Sequence, residues 1–364
     1  MSSLDQLIRM SQKYGANPEY VLAGGGNTSQ KDADTLFVKA SGTTLATIDE
    51  SGFVAIDRHL LQKMWNTTYS SDSAIREAEV LNDLMASRRP GQTGRPSVET
   101  ALHDLVEYRF VLHLHPALVN GLTCSNHDRV WVQSNLNSVV WLDATKPGFL
   151  LAVACKTLFA TYKAQFGKAP QILLIENHGV FFGADTLEEI DGLVDGLMNQ
   201  IRRSTIVLPD FSFVPSADNI NNIQKEIQSV SPDAVVVHES NRAIRSLSDF
   251  LVGEPEIRLP FTPDHIVYCG PYPLYTSRTD LVKDYQKFVQ THGFPPKTIL
   301  VRSSGLFSIG KNLKMATLSK ELFLDEVKIL AYSKNFGGPR FMTPEDIDFI
   351  IHWEVENYRV KATQ

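Results

Sequence analysis

His113-Leu114-His115 places two imidazoles two residues apart. On a β-strand such residues project from the same face, so both rings would address one point. His178, in Glu176-Asn177-His178-Gly179, follows another apolar run and could bring a third ring nitrogen. Three imidazoles with an open position are a common arrangement for catalytic zinc. The plainer reading of a lone His-x-His is two half-buried rings satisfied by backbone carbonyls, and the spacing alone leaves both open. Glu99 is the candidate acid–base group, in Pro96-Ser97-Val98-Glu99-Thr100-Ala101-Leu102-His103. It falls in the first turn of an expected helix, where carboxylates also gather for dipole reasons alone. His103 lies on the same helix face, one turn further on. The pattern is Glu-x-x-x-His, not the His-Glu-x-x-His of zinc proteases.

Gly24-Gly25-Gly26-Asn27-Thr28-Ser29 offers backbone N–H groups and small hydroxyls suited to a phosphate. It fits neither the dinucleotide pattern GxGxxG nor the P-loop GxxxxGK[ST], and a tight turn explains it equally well. Ser41-Gly42 and Ser97 are similar small groups at element ends, where N–H donors are free. Lys31 and Lys39 could add positive charge, although most lysines only solvate a surface.

The elements that must position these residues follow from periodicity and turn chemistry. A first helix ends near Gly15, and Leu22 to Ser29 reads as a loop after a short strand. Leu36 to Ala40 reads as a strand closed by Ser41-Gly42, and Ser97 as the cap of a helix over Val98 to Val106. Phe110 to His115 and Ile172 to Ile175 read as strands. Asp185-Thr186 then caps a helix in which Leu187, Ile190, Val194, Leu197 and Ile201 recur at helical spacing. Strands and helices mix throughout, which gives an α/β or α+β class. Leu173 to Gly183 resembles Ile299 to Gly310, each run being followed by a helix. Aligning Gly179 with Gly305 sets His178 opposite Ser304, which reads either as a duplicated fold with one working half or as the chance likeness of two strand–turn–helix units. The seam is the polar stretch Pro209 to Asn222, which gives domains 1–208 and 209–364.

The composition narrows the class. With 364 residues, 43% hydrophobic and 21% charged, the chain is an ordinary globular protein of about two domains. Its 35 Lys+Arg against 41 Asp+Glu leave a formal charge of −6 with no basic run. Nucleic acid and anionic membrane are therefore not expected as partners. Cys124, Cys155 and Cys269 are odd in number and far apart, which fits no disulfide framework or CxxC motif. The N-terminal segment lacks a signal-peptide core. Apolar runs fall short of the roughly 20 residues of a membrane helix. A cytoplasmic protein is expected.

Together these segments resemble the class II aldolase/adducin family. The resemblance rests on Gly24 to Lys31, Val38-Lys-Ala-Ser-Gly42, Pro96 to His103, His113-Leu-His-Pro116 and Glu176-Asn-His-Gly179, spanning residues 20 to 205. It is strongest to the aldolase part of bifunctional rhamnulose-1-phosphate aldolase/short-chain dehydrogenase proteins. Their C-terminal portion is similar to Thr262-Pro-Asp-His-Ile266 and Trp353-Glu-Val-Glu-Asn-Tyr358, while their dehydrogenase segment has no counterpart here. The resemblance implies a three-layer α/β/α domain, followed by a second, degenerate related α/β domain. It also implies a homo-oligomer, a tetramer in the family, with sites between neighbouring subunits. Zn2+ or another divalent metal would be held by His113, His115 and His178, with Glu99 as the catalytic carboxylate. Gly26, Asn27, Thr28, Ser41, Gly42 and Ser97 would bind phosphate and substrate. A family tyrosine also takes part, for which Tyr358 is the candidate. The implied activity is cleavage of a ketose 1-phosphate such as rhamnulose or fuculose 1-phosphate into dihydroxyacetone phosphate and an aldehyde. A sugar-phosphate epimerase and a non-catalytic adducin-like scaffold are the alternatives.

Overall fold

The structure is a computed structural model that describes residues 4–136, 138–249 and 255–353. Of these, 4–123, 127–203 and Trp353 form one compact unit, and 124–126 with 204–352 form a second. The division after Arg203 coincides with the end of the helix Leu187–Arg203, ahead of the polar stretch that begins at Pro209.

The first unit is built on a seven-stranded sheet. Its strands are β1 (Asn27–Lys31), β2 (Thr35–Lys39), β3 (Phe53–Asp57), β4 (Phe110–Leu114), β5 (Val139–Leu142), β6 (Ile172–Ile175) and β7 (Gly179–Ala184). The spatial order is β3-β2-β1-β4-β7-β6-β5. Every pairing is antiparallel except β5 with β6. Every residue of β4, β6 and β7 is buried, so hydrophobic alternation is lost and the strands read as continuous apolar runs. On one face, Val111, Leu173, Ile175 and Phe181 pack with residues of the helices Ser73–Ala86, Thr100–Leu105 and Phe149–Phe166. The helices Asp5–Gly15, Ala117–Thr123 and Leu187–Arg203 contact β1, β4 and β7. Leu187–Arg203 buries Ile190, Val194, Leu197 and Ile201 along one stripe, as its spacing requires. The result is a three-layer α/β/α arrangement.

Two local expectations are corrected. Asn27-Thr28-Ser29 is not loop; it opens β1, with Asn27 opposite His113 and Ser29 opposite Val111 on β4. These polar residues are tolerated inside a sheet because their side chains find partners. Thr28 Oγ1 lies 2.7 Å from Ser11 Oγ, and Ser29 Oγ lies 2.8 Å from His103 Nδ1. The expected helix at Val98 begins instead at Thr100, with Glu99 at the cap position. Ser97 organises the preceding turn: its Oγ accepts the Glu99 N–H at 3.2 Å, and its carbonyl accepts from Thr100 Oγ1 at 2.5 Å.

The second unit contains β8 (Val235–Glu239), β9 (Leu274–Thr276), β10 (Thr298–Val301) and β11 (Gly305–Gly310), in the order β8-β11-β10-β9. This repeats β4-β7-β6-β5 in order and in pairing direction: antiparallel, antiparallel, parallel. The registers also coincide. His113 faces Phe181 as His238 faces Phe307. The hairpin turns carry positive φ at Asn177 (54°) and at Ser303 (60°). A Cβ at Gly179 would lie 2.5 Å from the Leu114 carbonyl, and one at Gly305 would lie 2.5 Å from the Glu239 carbonyl. Each hairpin is followed by a long helix, Leu187–Arg203 or Leu313–Ser333. Among the described residues, no helix is long and apolar enough to cross a membrane.

Candidate metal centre

His113 sits in mid-sheet on β4, and His115 lies one residue beyond the strand on the same face. His178 comes from the tight turn between β6 and β7, where its N–H donates to the Ile175 carbonyl at 3.3 Å. Asn177 takes the left-handed conformation in that turn, which asparagine tolerates better than most residues. Gly179 is needed beside it, because a Cβ there would also lie 2.8 Å from His115 Cδ2. The fold thus brings one ring nitrogen from each of His113, His115 and His178 to within 4.8 Å of one another. His113 is fully buried, and His178 is 7% exposed.

The donor set fits a divalent cation. His113 Nδ1 lies 3.0 Å from the Val180 carbonyl, which can only accept, so Nδ1 carries the proton and Nε2 offers its lone pair. His115 Nε2 stands 2.9 Å from that Nε2. Burial pushes the His113 imidazole well below its usual pKa and keeps it neutral, the form that ligates. The Phe181 ring is stacked on His113 at 3.8 Å and 11°, which fixes the plane of the imidazole.

Glu99 enters from the cap of Thr100–Leu105 and is 5% exposed. Its Oε1 lies 3.3 Å from His178 Nε2 and 3.5 Å from His113 Nε2, and has no hydrogen-bond partner among the described residues. Such an orphaned buried acceptor beside ring nitrogens is what a cation would satisfy.

Asn27 Nδ2 donates to Glu99 Oε2 at 2.6 Å, so in this structure it holds the carboxylate rather than a free pocket. Gly26 turns the chain at φ +68°, where a Cβ would lie 2.9 Å from the His113 carbonyl. Ser41, Gly42 and Ser97 are brought together by the bridge between Ala40 and Pro96 and by the Ser41 N–H donating to the Arg95 carbonyl at 2.8 Å. Thr28 is not brought to them; it is fully buried against Ser11. Lys31 and Lys39 are buried rather than solvating a surface. Lys31 Nζ donates to the His103 carbonyl at 2.6 Å, and Lys39 Nζ to the Gly24 carbonyl at 3.4 Å. Tyr358 lies outside the described residues.

Sequence reasoning took Ser29 for a phosphate-loop hydroxyl, not the partner of His103, and it missed Phe181. Ser29 carried a signal, because Asn27, Ser29 and Lys31 alternate and must share one face of a strand. Phe181 carried none beyond its place in an apolar run.

The chain is similar to several known proteins. The uncharacterized oxidoreductase YuxG of Bacillus subtilis (strain 168) is 23% identical over 416 residues, covering 98% of this chain and 58% of its own length. The chain therefore spans a little over half of that curated relative. Among solved structures, the N-terminal class II aldolase domain of a conserved protein from Thermoplasma acidophilum is 28% identical. That match covers 56% of this chain and 93% of the other, with a TM-score of 0.47. The L-fuculose-1-phosphate aldolase of Thermus thermophilus is 17% identical, covering 56% and 94%, with a TM-score of 0.36. Residues 5–193 match the family model described as the class II aldolase and adducin N-terminal domain, and the chain belongs to that family.

Proposed function

We propose that this chain is a divalent-metal-dependent lyase. Its substrate is a ketose 1-phosphate such as rhamnulose or fuculose 1-phosphate, cleaved between C3 and C4 into dihydroxyacetone phosphate and an aldehyde. The observation that carries the reading is the convergence of His113, His115 and His178 on one point, with Glu99 Oε1 against two of the rings. In this reading the three imidazoles hold the cation, and zinc suits an all-nitrogen set. A divalent cation bound there supplies Lewis-acid stabilisation of the charge that develops on the substrate oxygens as the bond breaks.

The chain's own residues do the rest. Asn27 binds Glu99 Oε2 and leaves Oε1 able to move a proton. In the cleavage direction a base takes the C4 hydroxyl proton, the C3–C4 electron pair passes into the enediolate, and Glu99 delivers a proton to C3. In the synthetic direction Glu99 removes that proton. Ser41, Gly42 and Ser97 bind the phosphate, which orients C3 toward Glu99. The same reading makes the protein a cytoplasmic homo-oligomer, tetrameric as the family resemblance implies.

The test pairs metal content with turnover. Purified protein exposed to zinc and desalted retains about one equivalent, and His113→Ala retains none. Glu99→Gln keeps zinc but loses at least about a hundredfold in turnover, within the range of general acid–base catalysis. Absence of zinc from the wild type, or a near wild-type rate in Glu99→Gln, would overturn the reading.

A further inference from the structure

The helix that carries Glu99 has little means of fixing itself. Thr100–Leu105 is six residues long, and its cap residue makes no side-chain cap bond. Isolated helices shorter than about 12–15 residues are marginal in water, so tertiary contacts must set its position. Apolar packing on Phe149–Phe166 supplies part of them, and strand β1 adds three polar side chains on one face. Asn27 Nδ2 donates to Glu99 Oε2 at 2.6 Å, Ser29 Oγ pairs with His103 Nδ1 at 2.8 Å, and Lys31 Nζ donates to the His103 carbonyl at 2.6 Å. Ser29 and His103 are fully buried, and Lys31 is 7% exposed. Arg58 holds the neighbouring Asp104 at 2.5 Å.

Placing an ammonium in a protein interior costs several kcal/mol before its partners repay it, and an apolar side chain could fill the same space. What apolar packing does not supply is direction. Hydrogen bonds with fixed angles set both the rotation of a short helix and its height along the axis. One anchor acts on Glu99 itself, and two act on a residue four positions along, on the same face.

We propose that Ser29, Lys31 and His103 are positioning residues for Glu99, holding Oε1 against His113 and His178. The proposal rests on the reading of those histidines as a divalent-metal centre and deepens it. If an anchor is lost, the helix relaxes, the carboxylate moves away from the imidazoles, and a bound cation loses part of its attraction.

A double-mutant cycle on zinc affinity tests this in the full-length chain, by competition with a chromophoric chelator. Glu99→Gln sets the largest loss the anchors can produce. Ser29→Ala and Lys31→Met each weaken zinc binding at least about threefold when Glu99 is present, and by less than about 1.5-fold in the Glu99→Gln background. Ser29→Thr, which keeps the hydroxyl on a strand, restores the affinity. Equal losses in both backgrounds mean a purely structural role and overturn the proposal, as does no loss in either. Failure of the wild type to take up zinc overturns the metal reading beneath it, and the first titration separates that outcome from the others.

Discussion

Gly179→Ala tests whether the hairpin turn and the histidine strand are built as one piece. An added Cβ would lie 2.5 Å from the Leu114 carbonyl and 2.8 Å from His115 Cδ2. Ordinary contacts of this kind are above about 3.4 Å, so β4 and the His115 ring must retreat by the better part of an ångström. Overpacking of this kind costs about 1–3 kcal/mol, or a few degrees of melting temperature for a unit of this size. The metal centre should suffer more than the fold, because ligand distances tolerate only about ±0.2 Å. The expected loss in zinc affinity is at least about tenfold, equivalent to about 1.4 kcal/mol. Gly305→Ala is the internal control. Its Cβ would meet the Glu239 carbonyl at the same 2.5 Å, and its φ of +112° adds backbone strain, but it lies in the second unit. It should lower the melting temperature and leave zinc affinity unchanged. The assay is calorimetric melting beside chelator competition. Wild-type zinc affinity in Gly179→Ala, or an equal loss in Gly305→Ala, would refute the reasoning.

Three further outcomes are expected. Ser41→Ala should raise KM for a phosphorylated ketose by about tenfold, the loss of one charge-assisted hydrogen bond, and should leave the unphosphorylated sugar unaffected; equal effects on both substrates would remove Ser41 from the phosphate site. Burial pushes Glu326 up to about 7, and the carboxylates Glu326 and Asp325 raise His265 against the effect of its burial. Glu326 binds a proton in the folded state that the unfolded chain releases sooner, so its contribution to stability is lost as pH rises from about 4.5 through 7. The second unit should melt a few degrees lower at pH 8 than at pH 5.5, and Glu326→Gln should shrink that difference; an unchanged pH dependence in the variant would clear Glu326 of it. Finally, Ser240→His with Ser304→His should complete a second metal centre around His238, whose register matches that of His113. A second zinc equivalent, abolished by His238→Ala, is the expected result, and a folded variant with one equivalent would count against the repeat.

Much of the centre was legible because its signals are local. A His-x-His on a strand specifies one face, and a glycine after a turn histidine marks a close approach. The runs of β4 and β6 read as strands for the same reason, whereas β7 was not anticipated as a separate strand. The misreadings came where polar residues are buried. Asn27, Thr28 and Ser29 look like a loop because hydroxyls and amides usually face water; here Glu99, Ser11 and His103 satisfy them inside the sheet. Lys31 and Lys39 were open between charge supply and surface solvation, and the structure buries both on backbone carbonyls.

By itself, the sequence determined the identity of the three imidazoles and the carboxylate, the strands and turns that carry them, and the likeness of the two hairpin–helix runs. Those properties depend on residues a few positions apart, whose geometry the backbone period dictates. Tertiary structure alone decided that Glu99 Oε1 faces His113 and His178, that Asn27 grips the other oxygen, and that Phe181 stacks on His113. It also decided that β8 to β11 reproduce the order of four of the seven strands in the first sheet. Such contacts join residues dozens of positions apart, and their partners are fixed by strand register and helix packing, which no local period encodes.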